Sequence, residues 1–527
     1  LGRTAIINDF KVRELSGLTS NRNRVSKINE AFVHGISWEE KAKEIETLAG
    51  ITKQEIIDFV NSSIYKDSYV AIYKEQTQDV LERQKVAKPA ITPLNIPKDN
   101  RSHFLKDFIT SNHPEPIQPN FIDFKKEIKI EQVKEGVKLH YCKNQNDELF
   151  SMTFIYPVGS YHSPNLDLAA QQVKLLGTAR YSAAELAQEM YKLGMSYSVS
   201  VGQKETSINF SGLSSQIDTS FKLLNYILSN LNPNQAVADA LIQKTLQLRE
   251  NSLKNPRSIL WNGLQNYAVY GRKSPLMDGL SNDKLKLLRS EELLESFQSI
   301  FLFSPQILFY GESDINTIIS LIEPSEFIKG NKTESPNMDY ERVTMDKTKI
   351  VLLDYDLKTS EILLLSRGTP FKKSELAANN VFNEYYGGGM SSVIFQEIRE
   401  KKALAYAAFA VHTSAKDTSK PQYTYAYLGT QTDKTLDAIK SMLNVLGNMP
   451  KDSVKFEQSV SSKKQQLASS RTTRAGKLSS FWANKKLGFD ASKNEQIYNE
   501  LDNLTLDDIV KFHSDNVGEN QYTIVIV

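Results

Sequence analysis

Cysteine is all but missing from this chain. Cys142 is the only one, which excludes an internal disulfide and any cysteine-built zinc site. Long apolar runs are missing too: no window approaches ~18 uninterrupted apolar residues, the length a membrane-crossing helix requires. Neither charge sign is in excess, with 64 Lys and Arg against 62 Asp and Glu, so there is no electrostatic footprint for nucleic acid or an anionic membrane. Histidine is scarce. The seven residues (His34, His103, His113, His140, His162, His412, His513) are scattered, and no two fall at helical ligand spacing. The opening LGRTAIINDF lacks a Met, a basic start and an apolar signal core, so we expect a fragment entered in mid-domain, its targeting signal lost with the missing part.

What is present reads as ordinary globular protein: 40% hydrophobic and 24% charged residues over 527 positions, enough for two to four domains. Two stretches read as linkers. From Val86 to Phe124 six prolines (Pro89, Pro93, Pro97, Pro114, Pro116, Pro119) stand among polar residues, and that density predicts an extended connector. Glu323 to Lys347, mixing Pro, Gly, Asn and charge, is the second.

Repetition organises the rest. ITKQEIIDF, RSEELLESF and LTLDDIVKF each place Thr52, Ser290 or Thr505 seven residues before Phe59, Phe297 or Phe512. Each hydroxyl predicts an N-cap, with acid in the first turn of an amphipathic helix. A β-type run follows each one: YVAIY (69–73), ILFYG (307–311) and YTIVIV (522–527). Three matches with one internal spacing predict duplicated domains. We expect the tail of one domain (1–85), a Pro-rich hinge (86–124) and two whole domains (125–325 and 326–527). Strand runs such as VKLHYC, LFSMTFIY, KIVLLDYD and EILLLS come before helical stretches and further strands. That order favours an α+β fold of mixed sheets packed with helices over a doubly wound parallel sheet.

The stretch YYGGGMSSVIFQEIREKKALAY, Tyr385–Tyr406, holds the only run of three glycines. It follows a helical pattern rather than a strand and lacks the Gly-Lys-Ser/Thr ending, so a phosphate loop is excluded on context. Gly387, Gly388 and Gly389 either end a helix or admit a close backbone. Arg399, at a helix end, and Tyr406, in the strand-like ALAYAAFAV, are either surface and packing residues or two groups converging on one ligand. A guanidinium would anchor a carboxylate or carbonyl, and a phenol would donate to an oxyanion.

With these residues in view, GGGMSSVIFQEIREKKALAY resembles the C-terminal-module signature of the M16 (insulinase or pitrilysin) zinc metallopeptidases. Lys138–Leu231 is similar to the opening of an M16 module, through YPVGSYHSP and LGTARYSAAELAQEMYKLGMSYS. Active modules carry His-x-x-Glu-His on the helix before the Leu-Gly-Thr, two zinc-binding His and a water-activating Glu. Here those positions hold Leu168, Gln171 and Gln172. Glu250 lies near the place of the remaining ligand, but reads as a solvated helix residue. The resemblance therefore implies the catalytically silent half of a two-half peptidase, with no metal site in this chain and zinc in the missing N-terminal half. It further implies a peptide or unfolded-protein substrate and the N-terminal half as partners, with a bacterial periplasmic setting. Arg399 and Tyr406 would contact substrate, Tyr406 as oxyanion stabiliser, beside the Gly387–Gly389 loop. The competing expectation is a non-catalytic scaffold or partner subunit.

Overall fold

Strands fall on runs that carry β-branched or aromatic residues: β1 (Lys129–Lys134), β2 (Val137–Lys143), β3 (Leu149–Tyr156), β4 (Ser196–Val201), β5 (Thr206–Leu213), β6 (Gln306–Gly311), β7 (Lys349–Leu352), β8 (Thr359–Pro370), β9 (Ala407–His412), β10 (Pro421–Gln431) and β11 (Thr523–Ile526). This computed structural model describes residues 2–63, 69–74, 102–112, 115–335, 338–414, 417–518 and 521–527. The chain divides into one unit of residues 1–38 and 119–527 and another of residues 39–118.

The larger unit holds two sheets. The first has the order β1-β2-β6-β3-β5-β4, the second β7-β11-β8-β10-β9. Apart from the extra β1, the orders superpose strand for strand. In each, one parallel pair (β2 with β6, β7 with β11) sits beside antiparallel neighbours. The expected α+β class and its duplication are therefore written into the topology. Helices cover one face of each sheet. Over the first sheet, Phe150, Phe154, Phe210, Phe221 and Phe327 form an aromatic centre. Over the second, Phe382, Tyr385, Tyr386 and Phe512 do the same.

The other faces are covered reciprocally. The segment from Pro256 to Tyr270, which belongs in sequence to the first lobe, lays Leu260, Ala268 and Val269 on Leu363, Leu365, Tyr427 and Val525 of the second sheet. Helix Gly476–Lys486 of the second lobe lays Leu478, Phe481 and Trp482 on Cys142, Ile155 and Leu308 of the first. Arg257 on the first arm reaches Glu361 of the opposite lobe, and Arg474, just before the second arm, reaches Asp147. Both carboxylates are buried, and an unpaired buried charge is strongly destabilising, so the arms and the sheets stabilise one another.

Several expectations change here. The span from Glu323 to Lys347 is not a loose linker, because Phe327 and Ile328 are fully buried in the first core, where each contributes roughly 1.5–3 kcal/mol. Within the proline-rich stretch, residues 75–101 lie outside the described residues. Beyond them His103–Ser111 is a helix capped by the Ser102 hydroxyl. Between Pro97 and Pro114 no proline interrupts the chain, and Phe104, Leu105, Phe108 and Ile109 recur at helical spacing, which extended backbone does not use. At the far end Phe121 packs on Tyr498 and Phe124 on Phe481, so residues 119–124 are docked rather than linking.

In the smaller unit Thr52 caps helix Lys53–Ser63 through Glu55. The run YVAIY is not a strand: Tyr69, Val70, Ile72 and Tyr73 are each at least 79% exposed, and no neighbouring strand pairs with it among the described residues. A strand needs a partner for its backbone groups. Thr505 caps its helix with a full capping box to Asp508. Ser290 does not cap. It is the first helical residue, and its hydroxyl accepts from the Asn234 N–H at 2.7 Å.

Candidate functional site

The helix Leu166–Val173 presents the positions of the zinc motif. Leu168 is 4% exposed and packs in the core. Gln172 is fully buried and donates through Nε2 to the Ser290 carbonyl at 3.1 Å. Gln171 is exposed and bonds its own helix at the Asp167 carbonyl. A leucine and two amides do not fit a zinc ion, which takes imidazole, thiolate or carboxylate. Glu250 stands on the helix Gln235–Leu253, paired at 2.6 Å with Lys254 across one turn, and that ammonium lowers its carboxyl. Leu168 and Gln171 now border a cavity of about 260 Å³ with Tyr161, Thr245, Arg249 and Tyr340. Among the described residues no three His, Cys, Asp or Glu side chains gather as a metal-binding group.

The glycine stretch is built differently. Helix Leu376–Phe382 widens into a π-helical turn, Asn383–Gly388, a form often found at functional sites. The Asn383 side chain covers the outer edge of β9, accepting the His412 N–H at 2.8 Å and donating to its carbonyl at 3.0 Å. Gly387 is buried, and a Cβ there would stand 1.8 Å from the Ala410 carbonyl oxygen. The close backbone that requires this glycine is therefore the chain's own β9, not a substrate. Gly388 is exposed, although a Cβ there would stand 3.0 Å from the Asn383 carbonyl oxygen, and Gly389 has only Ser391 within 4 Å, at 3.8 Å and beyond, so Gly389 remains open.

Arg399 lies in a second π-helical segment, Phe395–Lys401. Its guanidinium stacks 4.8 Å over Phe395 and stands 3.7 Å from Glu400. The chain then turns through Ala403, whose φ of +48° is left-handed, and Leu404 N–H returns to the Ile398 carbonyl. Tyr406 N–H bonds Gly429 of β10 at 3.0 Å. Arg399 and Tyr406 thus have separate partners, and no contact joins them.

Tyr406 meets a different set. Register places Gly429 directly opposite both Glu361 of β8 and Ala407 of β9. The missing side chain at Gly429 leaves the space the phenol crosses, since a Cβ there would lie 2.5 Å from the ring. Tyr406 Oη donates to Glu361 Oε1 at 2.8 Å, and Tyr427 Oη donates to Glu361 Oε2. Arg257 Nε reaches the same Oε1 at 3.4 Å, so the guanidinium and the Tyr406 phenol meet at one carboxylate oxygen. Glu361 is 7% exposed, Arg257 60% and Tyr406 46%, so the carboxylate is hidden while its two visible partners face solvent. Burial and then the Glu361 hydrogen bond raise both the Tyr406 and Tyr427 phenols, which keeps them protonated. Trp261 lies beside this group, 6.3 Å over Phe409 and 5.9 Å from Tyr427.

Sequence reasoning singled out Tyr406 but missed Glu361, Tyr427 and Arg257. An acidic residue opening the apolar run EILLLS was the one available signal. A charge inside a central strand requires partners.

The profile of the peptidase M16 inactive domain matches residues 305–465, which include Glu361, Gly387–Gly389, Arg399, Tyr406 and Tyr427. An uncharacterised zinc protease of Bacillus subtilis, YmxG, is 23% identical over 63% of this chain and 80% of its own length. One from Rickettsia felis is 24% identical over 56% and 72%. Among solved structures, an M16 inactive domain from Pseudomonas fluorescens superposes with a TM-score of 0.62, 16% identical, over 76% of this chain and 97% of that one. The periplasmic protease PqqL of Escherichia coli covers the whole chain with 62% of its own, at a TM-score of 0.61 and 11% identity. Residues 305–465 thus match the M16 inactive domain and the duplicated sheets share the fold of these structures, while the motif helix carries Leu168, Gln171 and Gln172 in place of zinc ligands.

Proposed function

We propose that this chain binds extended peptide and completes an active site whose zinc belongs to an N-terminal M16 half. The observation that carries the reading is Tyr406: a half-exposed phenol, held in place by Glu361, inside the region that the M16 inactive-domain profile matches. Peptide or unfolded protein is the substrate, and hydrolysis proceeds by water activated on the partner half's metal. Arg399 orients the substrate from its π-helical segment, with Gly388 and Gly389 beside it. Tyr406 serves the oxyanion. A phenol has one proton, so for that step its O–H leaves Glu361 for the substrate oxygen, and Tyr427 and Arg257 remain to hold the carboxylate.

The exposed run Tyr69–Tyr73, without a strand to pair with among the described residues, supports a missing sheet contributed by the N-terminal half. In the assembled two-half protein, Tyr406→Phe is expected to lower kcat more than it raises KM, because the lost hydrogen bond forms in the transition state. An unchanged kcat sinks the oxyanion role. The competing reading is a non-catalytic scaffold or partner subunit. It draws on Gly387 serving β9 and on the Tyr406 proton being committed inside the fold. Equal peptide affinity of the wild-type chain and Arg399→Ala favours it.

A further inference from the structure

Arg257 was singled out by neither the sequence motifs nor the family signature, yet it shares Glu361 Oε1 with Tyr406. We propose that Arg257 and Tyr406 together read one backbone peptide unit of an extended substrate, the guanidinium donating to its carbonyl and the phenol oxygen accepting its N–H. The proposal rests on the peptide-binding part of the function above, in the complex before chemistry, and not on the oxyanion step.

Three observations carry it. The Tyr406 proton is committed to Glu361 at 2.8 Å, so in this state the phenol has only lone pairs to offer a ligand. The Arg257 guanidinium spends Nε on Glu361 Oε1, the oxygen that Tyr406 also binds, which leaves further N–H donors on a side chain that is 60% exposed. An acceptor and a donor side by side complement the N–H and C=O of a peptide backbone. Finally, the positive charge of Arg257 is matched by Glu361 at 3.4 Å. The pair is neutral, so it favours an uncharged dipole over a carboxylate, whose attraction to the guanidinium the buried anion cancels. Trp261 and Phe409 supply an apolar floor for the flanking side chain.

The mirror pair, Arg474 with Asp147, shows how such a contact looks when it only joins lobes: the Arg474 side chain is 20% exposed, and no phenol bonds Asp147 among the described residues. Arg257 makes the same lobe-to-lobe contact but stays open to solvent.

The test uses the full 527-residue chain and a fluorescein-labelled, acetylated and amidated 14-residue peptide of Ser, Ala, Gln and Val. The wild type is expected to bind, with Kd changing less than threefold between 50 and 500 mM salt. Arg257→Ala should weaken binding roughly tenfold or more, the range for a hydrogen bond to a charged group. Arg257→Lys keeps the charge beside Glu361 and loses the fork. It should weaken binding about fivefold while leaving Tm within ~2 °C of wild type, which separates ligand reading from lobe packing. Adding Tyr406→Phe to Arg257→Ala should cost little more, since both serve one peptide unit. Wild-type affinity in Arg257→Ala and Arg257→Lys overturns the proposal and leaves peptide binding standing. A steep loss with salt, or tenfold tighter binding of the same peptide with a free C-terminal acid, overturns it in favour of carboxylate recognition. No binding by the wild-type chain overturns the peptide-binding reading and this inference with it.

Discussion

At the scale of single residues, the glycines of the triplet differ in what they meet. A methyl at Gly387 collides with the Ala410 carbonyl, and backbone cannot step aside as a flexible side chain does. Gly387→Ala is therefore expected to destabilise the chain by about 3 kcal/mol, measured by chemical denaturation. At Gly389 the nearest neighbour is 3.8 Å away, so Gly389→Ala should stay within ~0.5 kcal/mol of wild type. Equal losses at the two positions would contradict this division. Sequence alone marked all three glycines as permitting close approach and could not say to what, because Ala410 lies across a fold that spacing does not encode. The partner of Tyr406 was hidden for the same reason: Glu361 stands 45 positions upstream, and strand register alone brings it under the phenol.

At the scale of elements, local chemistry decided which helix starts were legible. Thr505 and Asp508 satisfy each other's backbone N–H groups within four residues, so no distant contact is needed. Thr505→Ala should cost about 1 kcal/mol, read as a lowered denaturation midpoint with the slope unchanged. Ser290 carries the same pattern, but the neighbouring chain claims it: Asn234 donates to its hydroxyl and Gln172 to its carbonyl. Tertiary contact moved that start by one residue. The π-helical segments Asn383–Gly388 and Phe395–Lys401 leave no periodicity signal of their own, since their residues still suit a helix. The β-type run YVAIY failed in the opposite sense, because propensity without a pairing strand makes no ladder.

At the scale of the whole molecule, duplication was visible as a repeated spacing, whereas the exchange of arms between lobes was not. The arms are helical patterns like any other, and only the packing shows whose sheet they cover. The contact at helix Gly476–Lys486 also makes the molecule acid-sensitive. His140 is fully buried, set 5.4 Å from Phe481 and 5.6 Å from Trp482. Burial, opposed by a hydrogen bond to Gln306, pushes it down to about 4. Burial pushes His412 down to about 4 as well. Both stay neutral in the fold between pH 6.5 and 4, where the unfolded chain takes up their protons. The unfolded state thus binds more protons, and stability falls as pH is lowered through that window. The loss is on the order of 3 kcal/mol for each histidine by pH 4. Denaturation midpoints at pH 7 and 4.5 measure it, and His412→Gln should flatten the slope; a flat profile in the wild type would refute the assignment. The exchanged arms carry a consequence for synthesis. The arm Pro256–Tyr270 settles on Val525 and Val527, and β11 lies between β7 and β8 in its sheet. A ribosome translating this chain therefore releases a first lobe whose arm has nowhere to dock until residue 527 has emerged. While residues 271–527 are being made that apolar arm stays uncovered, and a stall late in the message would leave both lobes half-dressed.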